Sequence, residues 1–215
     1  MAPSAGDTTL SDRSSVTPVE RWLDALLRTP GLTAVKDRDE AWRLHVEDAL
    51  TALPLVDAGP VIDVGSGGGS PGIPLAAERS DLWFDLLESS RRKSAFLRDA
   101  AALFPNVGVL CCRAEEHAAG AGRDAYAVAL ARALAPPAVA AEWALPLVRP
   151  GGSLVLFAAA PEGDLATVAA QLGAAAPEAV AGLTERRQLF LFRKLEPTPA
   201  RFPRRPGVAR KRPLR

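Results

Sequence analysis

The stretch "VIDVGSGGGSPGIPLAAE", residues 61–78, opens as an apolar strand, breaks into glycines and restarts at helical spacing. In open α/β sheets ligands bind where such strands end, beside the point at which strand order reverses. Gly65 falls at that end, and Pro74 suits the first turn of the helix that follows, where a missing N–H costs nothing. Two registers compete within the glycines. From Gly67 to Gly72 the chain spells a literal GxGxxG, the dinucleotide fingerprint, whose helix amides hold pyrophosphate. Pro71 sits inside that pattern and removes a donor, and the pattern begins two residues beyond the strand. From Asp63 the same residues read as an acid followed by alternating glycines, Gly65, Gly67 and Gly69. An anion is a poor neighbour for pyrophosphate and a good one for the ammonium and sulfonium of S-adenosylmethionine. No GK[ST] follows, which excludes a phosphate-binding P-loop.

The next strand runs into "LLESS", which places Glu88 at the neighbouring carboxyl end. A carboxylate there accepts both ribose hydroxyls of a nucleoside; the alternative is a solvated glutamate at a helix start. Nicotinamide enzymes carry an acid at a similar offset, so Glu88 points to a nucleoside without choosing which.

Outward from the loop, strand-like runs at 82–87, 107–111, 126–130, 153–158 and 188–193 alternate with helical patterns at 91–104, 138–148 and 165–175. Such alternation predicts parallel crossovers and a doubly wound α/β sheet. The stretch "AGLTERRQLFLFRK" reads as a hairpin that adds an antiparallel strand. A mostly parallel sheet with one antiparallel strand is the Rossmann-like plan of the class I methyltransferases. Upstream, Trp22, Leu23, Leu26 and Leu27, and then Trp42, Val46, Ala49 and Leu50, fall at helical spacing and predict a helical extension over 18–58. The core then covers 59–196. Residues 1–17, polar and aperiodic, are expected to be disordered.

Within 215 residues, 48% hydrophobic, no run is long enough to span a membrane, and the N-terminus lacks the apolar core of a secretory signal. The expectation is a soluble cytoplasmic protein. The two cysteines, Cys111 and Cys112, are adjacent and suit neither a disulfide framework nor, with His45 and His117, a metal site. Seven of the 26 basic residues lie in 197–215, where there is no acid; the remaining 19 face 25 acidic residues. That asymmetry predicts either a basic arm reaching for a polyanion or a solvated tail. Arginines spaced by prolines stay extended, so Arg204, Arg205, Arg210, Lys211 and Arg212 are the candidates for phosphate contact. Arg91, Arg92 and Lys93 are a second basic cluster that also reads as a solvated helix face.

Five blocks taken together resemble one family. The loop "DVGSGGGSPGIPLA", the helix "LLESSRRKSAFLRDAA", "CRAEE" at 112–116, "ARALAP" at 131–136 and the leading "GLTAVKDRDEAWRLHVEDAL" are similar, in order, to the GidB/RsmG family. The closing "TPARFPRRPGVARKRPL" resembles that family's tail as well. The resemblance implies an S-adenosylmethionine-dependent methyltransferase acting on N7 of a guanine in small-subunit (16S) ribosomal RNA. The implied partner is that RNA or the 30S subunit, with no DNA and no membrane, and the chain is expected to be a monomer. Carried over by position, the resemblance implies that Gly65 and Ser70 flank the cofactor and that Glu88 holds the ribose. Ala114 and Glu115 would border the adenine, and Arg132 would line the methyl-transfer pocket. The chain departs from the family at Ser70, where a bulky apolar residue is usual, and at Glu88, where Asp is. It departs again at Ala131, usually Ser, and at Ala158-Ala159, where Lys-Gly is common. These departures leave open a related methyltransferase with another acceptor, or a binding module without transfer activity.

Guanine N7 is a lone-pair acceptor without a proton to remove, so methylating it needs no general base. That agrees with the lack of a catalytic dyad near the loops. A chain cut after Glu196 is expected to keep cofactor affinity while losing affinity for RNA.

Overall fold

The computed structural model describes residues 16–158, 164–184 and 187–215. The segment expected to be disordered therefore lies outside the described residues, apart from Val16 and Thr17. Thr17 caps α1 (Pro18–Arg28): its side chain accepts from Glu20 N–H, and the Glu20 carboxylate accepts from Thr17 N–H. This reciprocal cap satisfies two amides that a helix start otherwise leaves unpaired. A second helical stretch follows, with α2 (Arg38–Trp42) and α3 (Asp48–Leu50) joined by a widened π turn at Arg43–Glu47.

The alternating pattern folds as expected. β1 (Val61–Val64), α4 (Gly72–Glu78), β2 (Phe84–Leu87), α5 (Arg91–Ala101) and β3 (Val107–Leu110) form one half. α6 (Ala114–Ala118), β4 (Tyr126–Arg132), α7 (Pro137–Ala144), β5 (Val148–Ala158) and α8 (Leu165–Gln171) form the other, followed by β6 (Glu178–Thr184) and β7 (Arg187–Arg193). The sheet order is β3-β2-β1-β4-β5-β7-β6. Strands β3 to β5 are parallel, and β7 runs antiparallel between β5 and β6. The antiparallel strand is thus internal, and the outer strand of the hairpin forms the edge.

All four residues of β1 are buried, because helices cover both faces of the sheet. Side chains alternate. Ile62 and Val64 join the core packed by α6, α7 and α8, whereas Val61 joins the core packed by α1, α4 and α5. The strand order reverses between β1 and β4, so the carboxyl ends of those two strands frame the place where a ligand belongs.

The basic tail does not project from this body. Arg123 donates to the carbonyls of Thr198, Pro199 and Phe202, and Asp124 accepts from the N–H and hydroxyl of Thr198. Lys194, fully buried, donates to the carbonyls of Leu145 and Leu172 and to the Thr198 hydroxyl. Phe202 enters the α7-side core, and a last helical turn, α9 (Val208–Lys211), packs on α7. Arg204, expected to meet phosphate, instead forms a two-pronged ion pair with Glu142 of α7. The reason is burial. Glu142 is 2% exposed in an apolar helix, and an ionised carboxylate there needs a partner.

Replacing Arg204 by Ala should therefore cost about 3 kcal/mol, the lower end for breaking a buried pair, because the guanidinium keeps some contact with solvent. Urea unfolding of Arg204→Ala, alone and with Glu142→Gln, checks this. The second change should restore most of the loss; a single variant as stable as wild type would contradict the assignment.

Candidate functional site

A cleft of about 300 Å³ opens at the carboxyl ends of β1, β2 and β3. Its lining includes Val64 and Gly65 after β1, Leu87 and Ser89 around the end of β2, and Cys112 to Glu115 after β3. Leu134, Trp143, Gly207 and Arg210 complete it from the other side. The volume is at the small end of the range for small-molecule sites.

The first glycine of the loop, Gly65, lines it. Gly65 has φ +73, where an L side chain is strained, and a β-carbon there would stand 2.3 Å from Leu134 Cδ1, which would have to shift. Gly67 N–H donates to Glu88 Oε2 at 3.1 Å, while Ser90 N–H donates to Oε1 at 2.7 Å. The Glu88 carboxylate is thereby fixed between the loop and the start of α5. Two bonds leave part of its acceptor capacity unused, which suits a pair of ribose hydroxyls.

Not every loop glycine faces the cleft. A β-carbon on Gly68 would lie 2.4 Å from Leu26 Cδ1, and Gly68 O accepts from Trp22 Nε1 at 2.8 Å. Gly69 stands against Ile73 and Trp22 on the same far side. The close approach of α1 accounts for the smallness of Gly68, and the contact with Ile73 together with a φ of +103 for that of Gly69. Ser70 also turns away, its hydroxyl donating to His45 O at 2.6 Å.

Asp63 occupies a different place from the one its motif suggests. It is 1% exposed and follows Val61 to the α4 face, where its Oδ2 accepts from Gly72 N–H at 3.1 Å. The acid does not line the cleft; it holds the first turn of α4 from behind. Its presence there also decides between the registers, because the helix start that would receive pyrophosphate is already occupied by a carboxylate of the chain. Burial pushes the Asp63 carboxyl up to about 6, against the opposing pull of Gly72 N–H and the charge of Arg132.

Arg132, at the end of β4, reaches the N-terminal extension. Its Nη1 donates to Leu44 O at 2.7 Å and lies 3.3 Å from Asp48 Oδ2, a carboxylate that is 3% exposed. Its Nη2 is 3.2 Å from His45 Nδ1, and His45 Nε2 is 2.9 Å from Thr33 Oγ1. A guanidinium can only donate, so Nδ1 is the accepting nitrogen and the imidazole proton sits on Nε2, shared with Thr33. The π turn brings Leu44, His45 and Asp48 together around one arginine.

Ala114 and Glu115 line the cleft as expected, but Glu115 Oε1 accepts from Gly207 N–H at 3.1 Å. The tail, expected to stand apart as a basic arm, therefore reaches the cleft. Gly207 and Arg210 are part of the cleft wall, with the Arg210 guanidinium 5.5 Å over the Trp143 ring. Arg205, Lys211 and Arg212 are exposed. Of the family position at 158–159, Ala159 lies outside the described residues. Among the described residues no group of three metal-ligating side chains gathers, and no helix is long and apolar enough to cross a membrane.

Residues 20–188 match the model of the GidB family, rRNA small subunit methyltransferase G. The chain belongs to that family. A curated ribosomal RNA small subunit methyltransferase G from Moorella thermoacetica is 40% identical over 197 residues, covering 85% of this chain and 82% of that protein. The counterpart from Rubrobacter xylanophilus is 41% identical over 190 residues, covering 80% and 72%. Among solved structures, precorrin-6y C5,15-methyltransferase from Geobacter metallireducens is similar with a TM-score of 0.52 at 16% identity, over 79% of this chain and 93% of that one. At that identity the likeness is one of fold, the class I methyltransferase fold. In this GidB chain, His45, Asp48, Leu134, Trp143 and Gly207 are site elements that sequence reading left without a role, and Arg210, expected to meet phosphate, lines the cleft. One related signal was legible: a lone acid in the apolar helix "PAVAAEWALPL" has to find a cationic partner.

Between pH 3.8 and 6 the folded chain holds a proton at Asp63 that the unfolded chain has released. The contribution to stability is full below the lower value and is lost as pH rises through the upper one, by about 1.4 kcal/mol per pH unit. Asp63→Asn keeps an acceptor for Gly72 and removes the titration. Urea unfolding of both proteins from pH 3.5 to 7 should show the wild type losing stability relative to the variant across this window; parallel curves would count against it.

Proposed function

We propose that the chain methylates N7 of a guanine in 16S ribosomal RNA, with S-adenosylmethionine as donor and either free RNA or the 30S subunit as substrate. The observation that carries this reading is the cleft at the β1–β4 switch point, floored by Gly65 and flanked by the Glu88 carboxylate, in a chain of the GidB family. When bound, the cofactor supplies an electrophilic methyl group on a sulfonium.

The chain's own residues have a limited task. Gly65 lets backbone approach the ligand, Glu88 accepts from the ribose, and Ala114 gives the adenine a small apolar border. Arg132 holds the N-terminal extension over the end of β4, which shapes the acceptor side of the site. The acceptor nitrogen carries a lone pair at neutral pH, so no side chain has to take a proton. Catalysis then rests on alignment and exclusion of water, an effect worth up to about 7–11 kcal/mol. Exposed Arg205, Lys211 and Arg212 are placed to meet RNA phosphates, whereas Arg204 serves the fold.

Glu88→Gln should weaken S-adenosylmethionine binding by about tenfold to a hundredfold, as for losing hydrogen bonds to a charged acceptor. Calorimetry measures this, and undiminished affinity would remove Glu88 from the site. Labelled methyl donor incubated with 30S subunits or naked 16S RNA should place label on a single guanine; label on protein or small molecules only would overturn the RNA assignment. With RNA, the triple variant Arg205→Ala, Lys211→Ala, Arg212→Ala should flatten the slope of log affinity against log salt by about 0.7–0.9 for each phosphate that is no longer neutralised. An unchanged slope would move the RNA-binding surface elsewhere.

A further inference from the structure

The tail is tied to the protein at four successive points, and the last of these reach the cleft. Thr198 is held by Asp124 and Lys194, Phe202 is buried, Arg204 pairs with Glu142, and Gly207 N–H donates to Glu115. Beyond that, the Arg210 guanidinium lies over the Trp143 ring, and both line the cleft. Glu115, which borders the same cleft, is 6% exposed and spends one carboxylate oxygen on the tail backbone.

The position of this wall says which part of a ligand it meets. Strand order runs β3-β2-β1-β4, with Glu88 following β2 and Cys112 to Glu115 following β3. A nucleoside whose ribose is held at Glu88 directs its base toward the β3 end, away from the glycine loop. Gly207 stands there, hydrogen-bonded to the β3-side residue Glu115. A guanidinium and an indole at the rim offer stacking and cation–π contact to a purine.

We propose that the C-terminal segment is a working wall of the cofactor site, with Gly207 and Arg210 closing the purine end of the adenosyl pocket. Docked tail and bound adenosyl ligand then stabilise each other, since a ligand that binds one arrangement favours it by mass action. The inference rests on the S-adenosylmethionine reading. It replaces the picture of a tail devoted to RNA with one in which the same segment meets cofactor on one side and solvent on the other.

The test uses the full chain and S-adenosylhomocysteine as probe. Calorimetry of Arg210→Ala should show at least fivefold weaker binding, with the same factor for adenosine alone, because the contact is to the purine end. Arg215→Ala, at the exposed last residue outside the cleft lining, should bind as wild type. Because Arg210 is exposed at the rim, its replacement should leave the unfolding midpoint nearly unchanged. Independently, S-adenosylhomocysteine should slow tryptic cleavage of the wild-type chain after Arg210 and Lys211 severalfold. Wild-type binding with Arg210→Ala within twofold of it, or cleavage that the ligand does not slow, overturns the wall while leaving the cofactor reading intact. No binding by the wild type overturns both.

Discussion

The first turn of α4 is anchored by a carboxylate of the preceding strand. Asp63 accepts from Gly72 N–H inside the core, and this contact sets how the glycine loop must travel between β1 and α4. Everything near the cleft follows from that route. Gly65 and Gly67 turn toward the strand ends, where Glu88 receives Gly67 N–H. Gly68 and Gly69 turn toward α1, where Leu26 comes closer to Gly68 than a β-carbon would permit without a shift. The loop is thus clamped from both sides, and its shape does not wait for a ligand. Preorganisation of this kind reduces the ordering cost of binding.

The N-terminal extension and the C-terminal tail, both additions to the doubly wound core, are built into the site by buried charge. Arg132 is gathered with Asp48 and His45 through the π turn, and Arg204 with Glu142 through the tail. A charge in a low-dielectric setting is costly alone and tolerable when paired. Each pair therefore acts as a register pin that fixes where a peripheral segment sits. The first pin positions the extension beside the end of β4. The second delivers Gly207 and Arg210 to the rim of the cleft.

The chemistry asked of such a site is modest, which fits its composition. A nucleophile that already carries its lone pair needs alignment more than proton transfer, and several charged groups in and near the cleft hold backbone. Glu88 binds two amides and Glu115 binds one, Arg132 binds a carbonyl, and Asp63 binds the helix start. These are positioning contacts, and they make the cleft stiff.

Much of this was legible in the residues themselves. Alternating apolar strands and helices specified the sheet, since period-2 and period-3.6 patterns can bury their apolar faces in few ways. The glycine loop and Glu88 marked the ligand end, because a strand end followed by residues without β-carbons has few other uses. What the sequence could not convey was direction. Asp63 looked like a cofactor ligand until strand parity placed it on the α4 face, and Ser70 until its hydroxyl met His45 O. The tail read as a free basic arm, because charge and proline content describe an isolated segment. Its fate depended on Glu142, 62 positions away along the chain and visible only as an acid in an apolar helix. Local pattern determines which elements form and which faces they bury. Which long-range partner satisfies a buried charge or an unpaired amide is decided only when the elements pack, because that choice depends on distances the chain acquires by folding.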